Sequence, residues 1–214
     1  MRKAAFGLPL FLGGAMYILL CGLPRSGTKE VGELLKQRWD ARGFPAWAFN
    51  ALSPLTGMVH SLRRSSEGAL ADYAAFEEGL AGVLCSHGAL TQKGFWGRTA
   101  LKHAGAMTRP FDEAQRFYAC IVSGLPYPED LEAFPGAFKV WVDCPEDDKR
   151  FFDDGVTLPS GHPAWRAFDL SLDRFDLRLE LTASSLGDAA DLIAYQSMKN
   201  LSKGLNPPSG ASQC

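Results

Sequence analysis

The sequence predicts an α/β fold, a three-layer domain in which helices cover both faces of a mainly parallel sheet. Short apolar runs alternate along the chain with stretches whose apolar residues recur at helical spacing. The 214 residues, 46% of them hydrophobic, supply one sizeable core. Cationic and anionic residues number 22 and 24, so the net charge of −2 does not by itself call for a nucleic-acid or membrane partner.

The first residues form an uncharged stretch behind a basic start. Met1-Arg2-Lys3 precedes a run without charge over residues 4–24, which resembles a signal peptide. Glycines and a proline interrupt the run, and no small-residue cleavage site follows it. We therefore predict a leader over 1–15, a domain over 16–201 and a flexible tail over 202–214, with a membrane-anchored or secreted protein as the alternative.

The cysteines and histidines give no sign of a structural metal or of a redox pair. The five cysteines contain no CxxC pair, and the four histidines lack metal-binding spacing. This composition favours a reducing cytoplasm and no membrane partner. It leaves the oligomeric state open.

A glycine-bounded loop separates a predicted buried strand, Tyr17–Cys21, from a predicted helix over 28–42. Its glycines match the spacing of the phosphate loop GxxxxGK[ST], in which backbone amides at a helix start bind phosphate. Thr28 stands where that pattern has lysine, and Lys29 stands where it has a hydroxyl. The predicted phosphate-binding residues are Gly22, Arg25, Ser26, Gly27, Thr28 and Lys29, of which Arg25 and Lys29 are the candidate catalytic cations. The alternative is an ordinary strand-to-helix turn.

The loop resembles those of two families. Its Pro-Arg-Ser-Gly-Thr stretch, residues 24–28, is similar to the phosphosulfate loop of sulfotransferases, where threonine is usual. It also resembles the loop of bacteriophage deoxynucleoside monophosphate kinases, which often reads Arg-Ser-Gly-Lys. Segments 48–55, 108–114 and 162–176 resemble further stretches of these kinases. The kinase resemblance implies a P-loop kinase-like domain that uses ATP and Mg²⁺, with Thr28 or Ser26 reaching the metal.

The same resemblance leaves the acceptor open. Some phage kinases of this broad type phosphorylate 5-hydroxymethyluracil already in DNA, a step of thymine hypermodification. The implied acceptor is therefore a free deoxynucleotide or phage DNA, and the implied compartment is the host cytoplasm. The chain departs from the kinase pattern at Met107, where the family carries an acidic residue, and this puts one magnesium ligand in doubt. A sulfotransferase and a non-catalytic nucleotide binder are the alternative functions.

The remaining elements follow from periodicity. Apolar residues at helical spacing predict a helix over 70–84, and the polar, basic stretch 86–110 is either an acceptor-binding region or a surface segment. Asp112 to Val122 is predicted to be a helix. Phe138–Asp143 and Leu177–Thr182 are predicted strands, followed by a final helix after Ser185.

Four residues in this second half are candidates for the acceptor side of the reaction. Asp112 is the candidate for orienting an acceptor hydroxyl, and Arg109 and Arg150 are candidates for holding the acceptor phosphate. Arg166 lies in a glycine- and proline-rich segment that is either a basic lid, since phosphate transfer requires exclusion of water, or a solvated loop with scattered charge.

Overall fold

The computed structural model describes residues 14–23, 25–52, 94–114, 117–125, 127–152 and 172–205. The regular elements of these ranges are five strands and three α-helices, with short 3-10 helices between them. The strands are β1 (Gly14–Gly22), β2 (Ala46–Asn50), β3 (Phe117–Ser123), β4 (Phe138–Asp143) and β5 (Leu177–Glu180). The helices are α1 (Thr28–Ala41), α2 (Phe95–Glu113) and α3 (Leu186–Leu205).

The five strands form one parallel sheet in the order β2-β3-β1-β4-β5. β1 occupies the centre, where Leu20 pairs with Ser123 of β3 on one side and with Val140 of β4 on the other. Because all strands run the same way, their carboxyl ends meet at one edge of the sheet, where open α/β folds bind ligands. The predicted α/β fold with a mainly parallel sheet is confirmed.

Helices cover both faces of the sheet and produce the three predicted layers. Successive residues of β1 point to opposite faces, as in any strand. Ile18 and Leu20 pack in the core beneath α1 and α3, whereas Leu19 and Cys21 pack in the core beneath α2. All four side chains are at most 2% exposed, so the central strand is anchored from both sides.

The first strand and the last helix both extend past the limits predicted for the domain. β1 begins at Gly14, two residues before the predicted domain start at Met16, because Gly14 and Ala15 continue the ladder with Phe117 and Tyr118. The final helix, α3, extends to Leu205, beyond the predicted end at 201. The predicted helix over 70–84 lies outside the described residues.

The helix predicted over Asp112 to Val122 is wrong. Positions 112 and 113 are the end of α2, which begins at Phe95, and Phe117–Ser123 is the strand β3. Most of the stretch 86–110, predicted to be an acceptor-binding region or a surface segment, therefore belongs to α2. Every residue of β3 is buried. A fully buried strand reads as a continuous apolar run, and such a run has no periodicity that separates it from a short buried helix.

The three described cysteines lie in the protein core. Cys21, Cys120 and Cys144 are buried free thiols. Burial raises the pKa of Cys120 to about 12 and also raises the pKa of Cys21, so neither is a ready thiolate. Among the described helices, none combines the length and apolarity needed to cross a bilayer.

A buried carboxylate fixes the start of α2 at the carboxyl edge. Asp130 lies in the 3-10 helix Pro128–Ala133 and is 0% exposed. Its Oδ1 accepts a hydrogen bond from the Gly97 amide at 2.8 Å, and its Oδ2 accepts one from the Tyr127 amide at 3.1 Å. Gly97 approaches the Asp130 backbone so closely that no side chain fits at position 97.

We predict that Asp130 makes the stability of the fold depend on pH. Burial raises the pKa of Asp130 from its ordinary 3.8 to about 6. Between these values the folded state binds a proton that the unfolded chain does not, so stability falls as pH rises from 4 to 6 and then levels off. The linkage amounts to about 2–3 kcal/mol. Urea unfolding across this range measures it.

The Asp130→Asn variant is the control, because its amide does not titrate in this range. We expect its free energy of unfolding to lack the fall between pH 4 and 6. A wild-type curve parallel to that of the variant would contradict the prediction. If the variant does not fold, the carbon chemical shift of the Asp130 carboxyl in the wild type reports the same titration.

Candidate functional site

The strand-to-helix turn predicted to bind phosphate lies at the carboxyl edge, directly after the central strand. Gly22 ends β1, and α1 begins at Thr28. The Ser26 amide donates to the Leu23 carbonyl at 3.1 Å and closes a tight turn. Arg25 and Gly27 both have positive φ, at 60° and 81°. The chain thereby reverses within five residues and delivers the start of α1 above the sheet edge.

The first amides of α1 are available for a ligand by the geometry of the helix. The Val31 amide donates to the Gly27 carbonyl at 3.0 Å, which is the first i→i−4 bond of α1. The amides of Thr28 and Lys29 precede that bond and have no acceptor within the helix. The helix dipole adds partial positive charge at this end. Together these features favour an anion such as a phosphate group.

Two glycines are required because backbone and side chains approach them too closely for any other residue. A side chain at position 22 would collide with Ser26 and with the Val142 carbonyl of β4. A Cβ at position 27 would lie 2.5 Å from Leu181 and 3.1 Å from the Phe152 ring. The loop is therefore seated on the ends of β4 and β5, which hold it in place.

Ser26 is buried inside the loop without a hydrogen-bond partner. Ser26 is 1% exposed, and its Oγ has no hydrogen-bond partner among the described residues. An unsatisfied buried hydroxyl costs about 1–3 kcal/mol, so native structures rarely keep one without a reason. The Oγ lies against Gly22, inside the turn that leads into α1.

In the structure Lys29 lies one helix position beyond the place that the phosphate-loop pattern gives to lysine. α1 begins at Thr28, which is 7% exposed and continues a buried stripe of the helix with Gly32, Leu35 and Trp39. Lys29 is exposed, as is Glu33 one turn later. Adjacent helix positions differ by about 100° in direction. The backbone of α1 is regular from Thr28 onward, so the Lys29 side chain does not take the place of the Thr28 side chain.

Two of the predicted acceptor-side residues, Arg109 and Asp112, lie near the end of α2. α2 starts beside Asp130 at the carboxyl edge and ends shortly before Phe117, at the amino end of β3. Position 112 is 15 residues beyond Gly97, which is about 22 Å along a helix. Arg109 is exposed in the same distal part of α2. The structure therefore does not bring Arg109 and Asp112 to the loop.

Arg150 is the acceptor candidate whose backbone lies near the loop. It belongs to the 3-10 helix Lys149–Phe151, and the next residue, Phe152, contacts Gly27. Arg166 lies outside the described residues. Sequence reasoning missed Phe152 and Leu181 as the residues that seat the loop, because no local signal marks a contact between residues so distant along the chain.

The carboxyl edge also carries Asp143, which the sequence placed at the end of a strand. It ends β4 beside the Gly22–Val142 pair, and its side chain is exposed. Its carbonyl accepts a hydrogen bond from the Leu181 amide at 2.7 Å. No group of three or more potential metal ligands occurs among the described residues.

No family model and no curated protein matches this chain in sequence. Among solved structures, the APS kinase of Mycobacterium tuberculosis, in complex with AMPPNP and APS, is 16% identical with a TM-score of 0.43, over 87% of this chain and 99% of that chain. The shikimate kinase of Aquifex aeolicus is 12% identical with a TM-score of 0.42, over 90% and 99%.

A sugar kinase from Janibacter sp. is 13% identical with a TM-score of 0.40, over 94% of this chain and 100% of that chain. All three names are those of kinases. Identities and TM-scores this low do not assign an activity or a substrate.

We predict that Gly27→Ala destabilises the fold strongly. The substitution combines an unfavourable left-handed backbone with overlap against Leu181 and Phe152. The expected loss is about 3 kcal/mol or more in the free energy of unfolding. Denaturant unfolding measures it.

Gly43→Ala is the matched control for this prediction. Gly43 has nearly the same φ, 83°, but nothing lies within 4 Å of an added Cβ. It should lose only the backbone contribution, about 1 kcal/mol. Equal losses in the two variants would show that the seating contacts do not constrain the loop.

Proposed function

We propose that this protein is a phosphotransferase that binds ATP at the loop Gly22–Lys29 and transfers the γ-phosphate to a deoxynucleotide-type acceptor. The observation that carries the proposal is the buried, unpartnered Ser26 hydroxyl within a rigid turn at the start of α1. A helix start with a second, unsatisfied donor beside it suits a polyphosphate group.

The loop supplies what phosphoryl transfer demands of a protein. The acceptor oxygen bonds to the γ-phosphorus while the bond to the bridging oxygen of ADP breaks, so catalysis consists mainly of positioning and charge neutralisation. The amides of Thr28 and Lys29 would hold the donor phosphates, and Arg25 would offset their charge. Thr28 and Ser26 are the hydroxyls from which Mg²⁺ could take a protein oxygen, and the metal would neutralise charge between the phosphates.

The acceptor half of the proposal rests on sequence resemblance. Segments 48–55 and 108–114 resemble stretches of phage deoxynucleoside monophosphate kinases, and the related kinases of 5-hydroxymethyluracil in DNA suggest the second acceptor. Arg109 and Asp112 do not enter this mechanism, since α2 carries them away from the loop. Arg150 keeps its proposed role toward the acceptor phosphate because its backbone precedes Phe152 beside Gly27.

A sulfotransferase is the second candidate, favoured by one observation. Thr28, which the sulfotransferase loop also carries, is the first residue of α1 and is buried in the loop, whereas Lys29 is exposed. Such an enzyme would bind a phosphosulfate donor and would not need Mg²⁺ for transfer. The donor preference therefore separates the two candidates.

Label transfer with defined donors and acceptors tests the proposal. With γ-labelled ATP and Mg²⁺, we expect label on a deoxynucleoside monophosphate or on DNA that contains 5-hydroxymethyluracil, together with a rise in the unfolding temperature on adding ATP. Label on DNA alone would select the DNA acceptor. Transfer from adenylyl phosphosulfate instead of ATP would select the sulfotransferase, and no response to any donor would refute both.

We predict that Ser26→Ala changes stability and ligand binding in opposite directions. Removing an unsatisfied buried hydroxyl should stabilise the ligand-free protein by about 1 kcal/mol. The same change should weaken ATP binding, because a donor to the phosphates is lost. Urea unfolding and calorimetric titration with ATP measure the two effects.

Ser197→Ala is the control, since Ser197 is equally buried but donates to the Ala194 carbonyl at 3.1 Å. It should be neutral or destabilising and leave ATP binding unchanged. A Ser26→Ala protein that is less stable and binds ATP as tightly as the wild type would contradict the role given to this hydroxyl.

A further inference from the structure

Arg25 holds a backbone conformation that ordinarily belongs to glycine. Its φ is 60°, and among the described residues it is the single non-glycine residue with a positive φ. It occupies the third position of the turn closed by the Ser26 amide and the Leu23 carbonyl. In a turn of this kind a left-handed third residue is usually glycine. An arginine in this conformation makes the folded state less stable than a glycine would, and residues held in such conformations are found preferentially at functional sites.

The arginine stands on the open side of the loop. Arg25 is exposed, and the three residues that follow it, Ser26, Gly27 and Thr28, are buried. Arg25 is therefore the exposed residue that comes shortly before the amides at the start of α1. A guanidinium at this point can reach an anion bound by those amides with two parallel hydrogen bonds.

Lys29 is placed differently. It follows the buried Thr28 by one helix position and shares the outer side of α1 with Glu33 and Asp40, both of which are exposed. Glu33, four positions along, is at the spacing at which opposite charges on a helix attract each other. The position that the phosphate-loop pattern gives to lysine is occupied by a threonine.

We infer that Arg25, rather than Lys29, is the cation that binds the phosphates of the donor at this loop. This inference rests on the proposed function. The ligand class is a nucleoside triphosphate or another linear polyphosphate, whose adjacent oxygens suit a bidentate guanidinium. The strained turn then places the long cationic side chain of Arg25 at the mouth of the loop.

Binding of ATP and of inorganic tripolyphosphate to Arg25 and Lys29 variants tests this inference. Loss of a bidentate charged contact should raise the Kd at least about 30-fold in Arg25→Ala and in Arg25→Gly. Arg25→Lys, which keeps charge but not the fork, should lose about tenfold. Lys29→Ala should lose less than about fivefold, because an exposed charge beside the loop acts mainly at long range.

Unfolding of the same variants tests the backbone part of the inference. Arg25→Gly should raise the urea midpoint above that of the wild type, whereas Arg25→Ala should not, since alanine keeps the unfavourable φ. Equal midpoints for the two variants would overturn the claim that the turn is strained.

The outcomes separate this inference from the proposed function. Arg42→Ala removes an exposed arginine at the far end of α1 and should bind both ligands like the wild type. If the wild type binds but Lys29→Ala loses as much affinity as Arg25→Ala, or Arg25→Ala loses none, the inference is overturned and the proposed function stands. If the wild type binds neither ATP nor tripolyphosphate, the proposed function itself fails.

Discussion

The close approach of three strands to one turn is the constraint on which the rest of this structure depends. Gly22 ends the central strand against the Val142 carbonyl, and Gly27 is pressed between Leu181 and Phe152. These contacts constrain the course of the backbone from β1 into α1. The first amides of the helix consequently sit above the carboxyl edge, where both neighbouring strands also end. A less tightly packed turn would leave the same amides without a defined direction.

This packing has local costs within the turn itself. Ser26 carries a hydroxyl without a partner, and Arg25 adopts a left-handed backbone. Elsewhere positive φ angles belong to glycines, as at Gly43 and Gly136, and the buried Asp130 uses both oxygens as acceptors. Departures from local preference that gather in one turn are typical of functional sites, where the surrounding structure enforces them.

Local signals were enough to predict the strand, the turn and the helix that form the centre of the candidate site. The strand into Cys21, the glycine spacing and the helix from Thr28 each follow from patterns within a few residues, and β4 matched its predicted bounds. β3 was missed because its apolar run fits a helix as well as a strand. The roles given to Arg109 and Asp112 depended on the direction of α2, which the contact between Gly97 and Asp130 decides. The seating of Gly27 on Leu181 depends on pairing between strands distant in sequence.

The position of the cation bears on which step of the reaction the loop can assist. Amides and a helix dipole attract a bound anion whether or not chemistry follows, so they contribute to the ground state and the transition state alike. Acceleration requires charge placed where it grows as the γ-phosphate leaves. A lysine at the first helical position would lie in a fixed relation to the amides, whereas Arg25 approaches from the turn before them and carries a longer, planar group. Arg25 and the amides proposed to bind phosphate belong to one segment that is seated on the ends of β4 and β5. Placing the cation in the turn rather than in the helix therefore changes the direction from which it approaches a ligand.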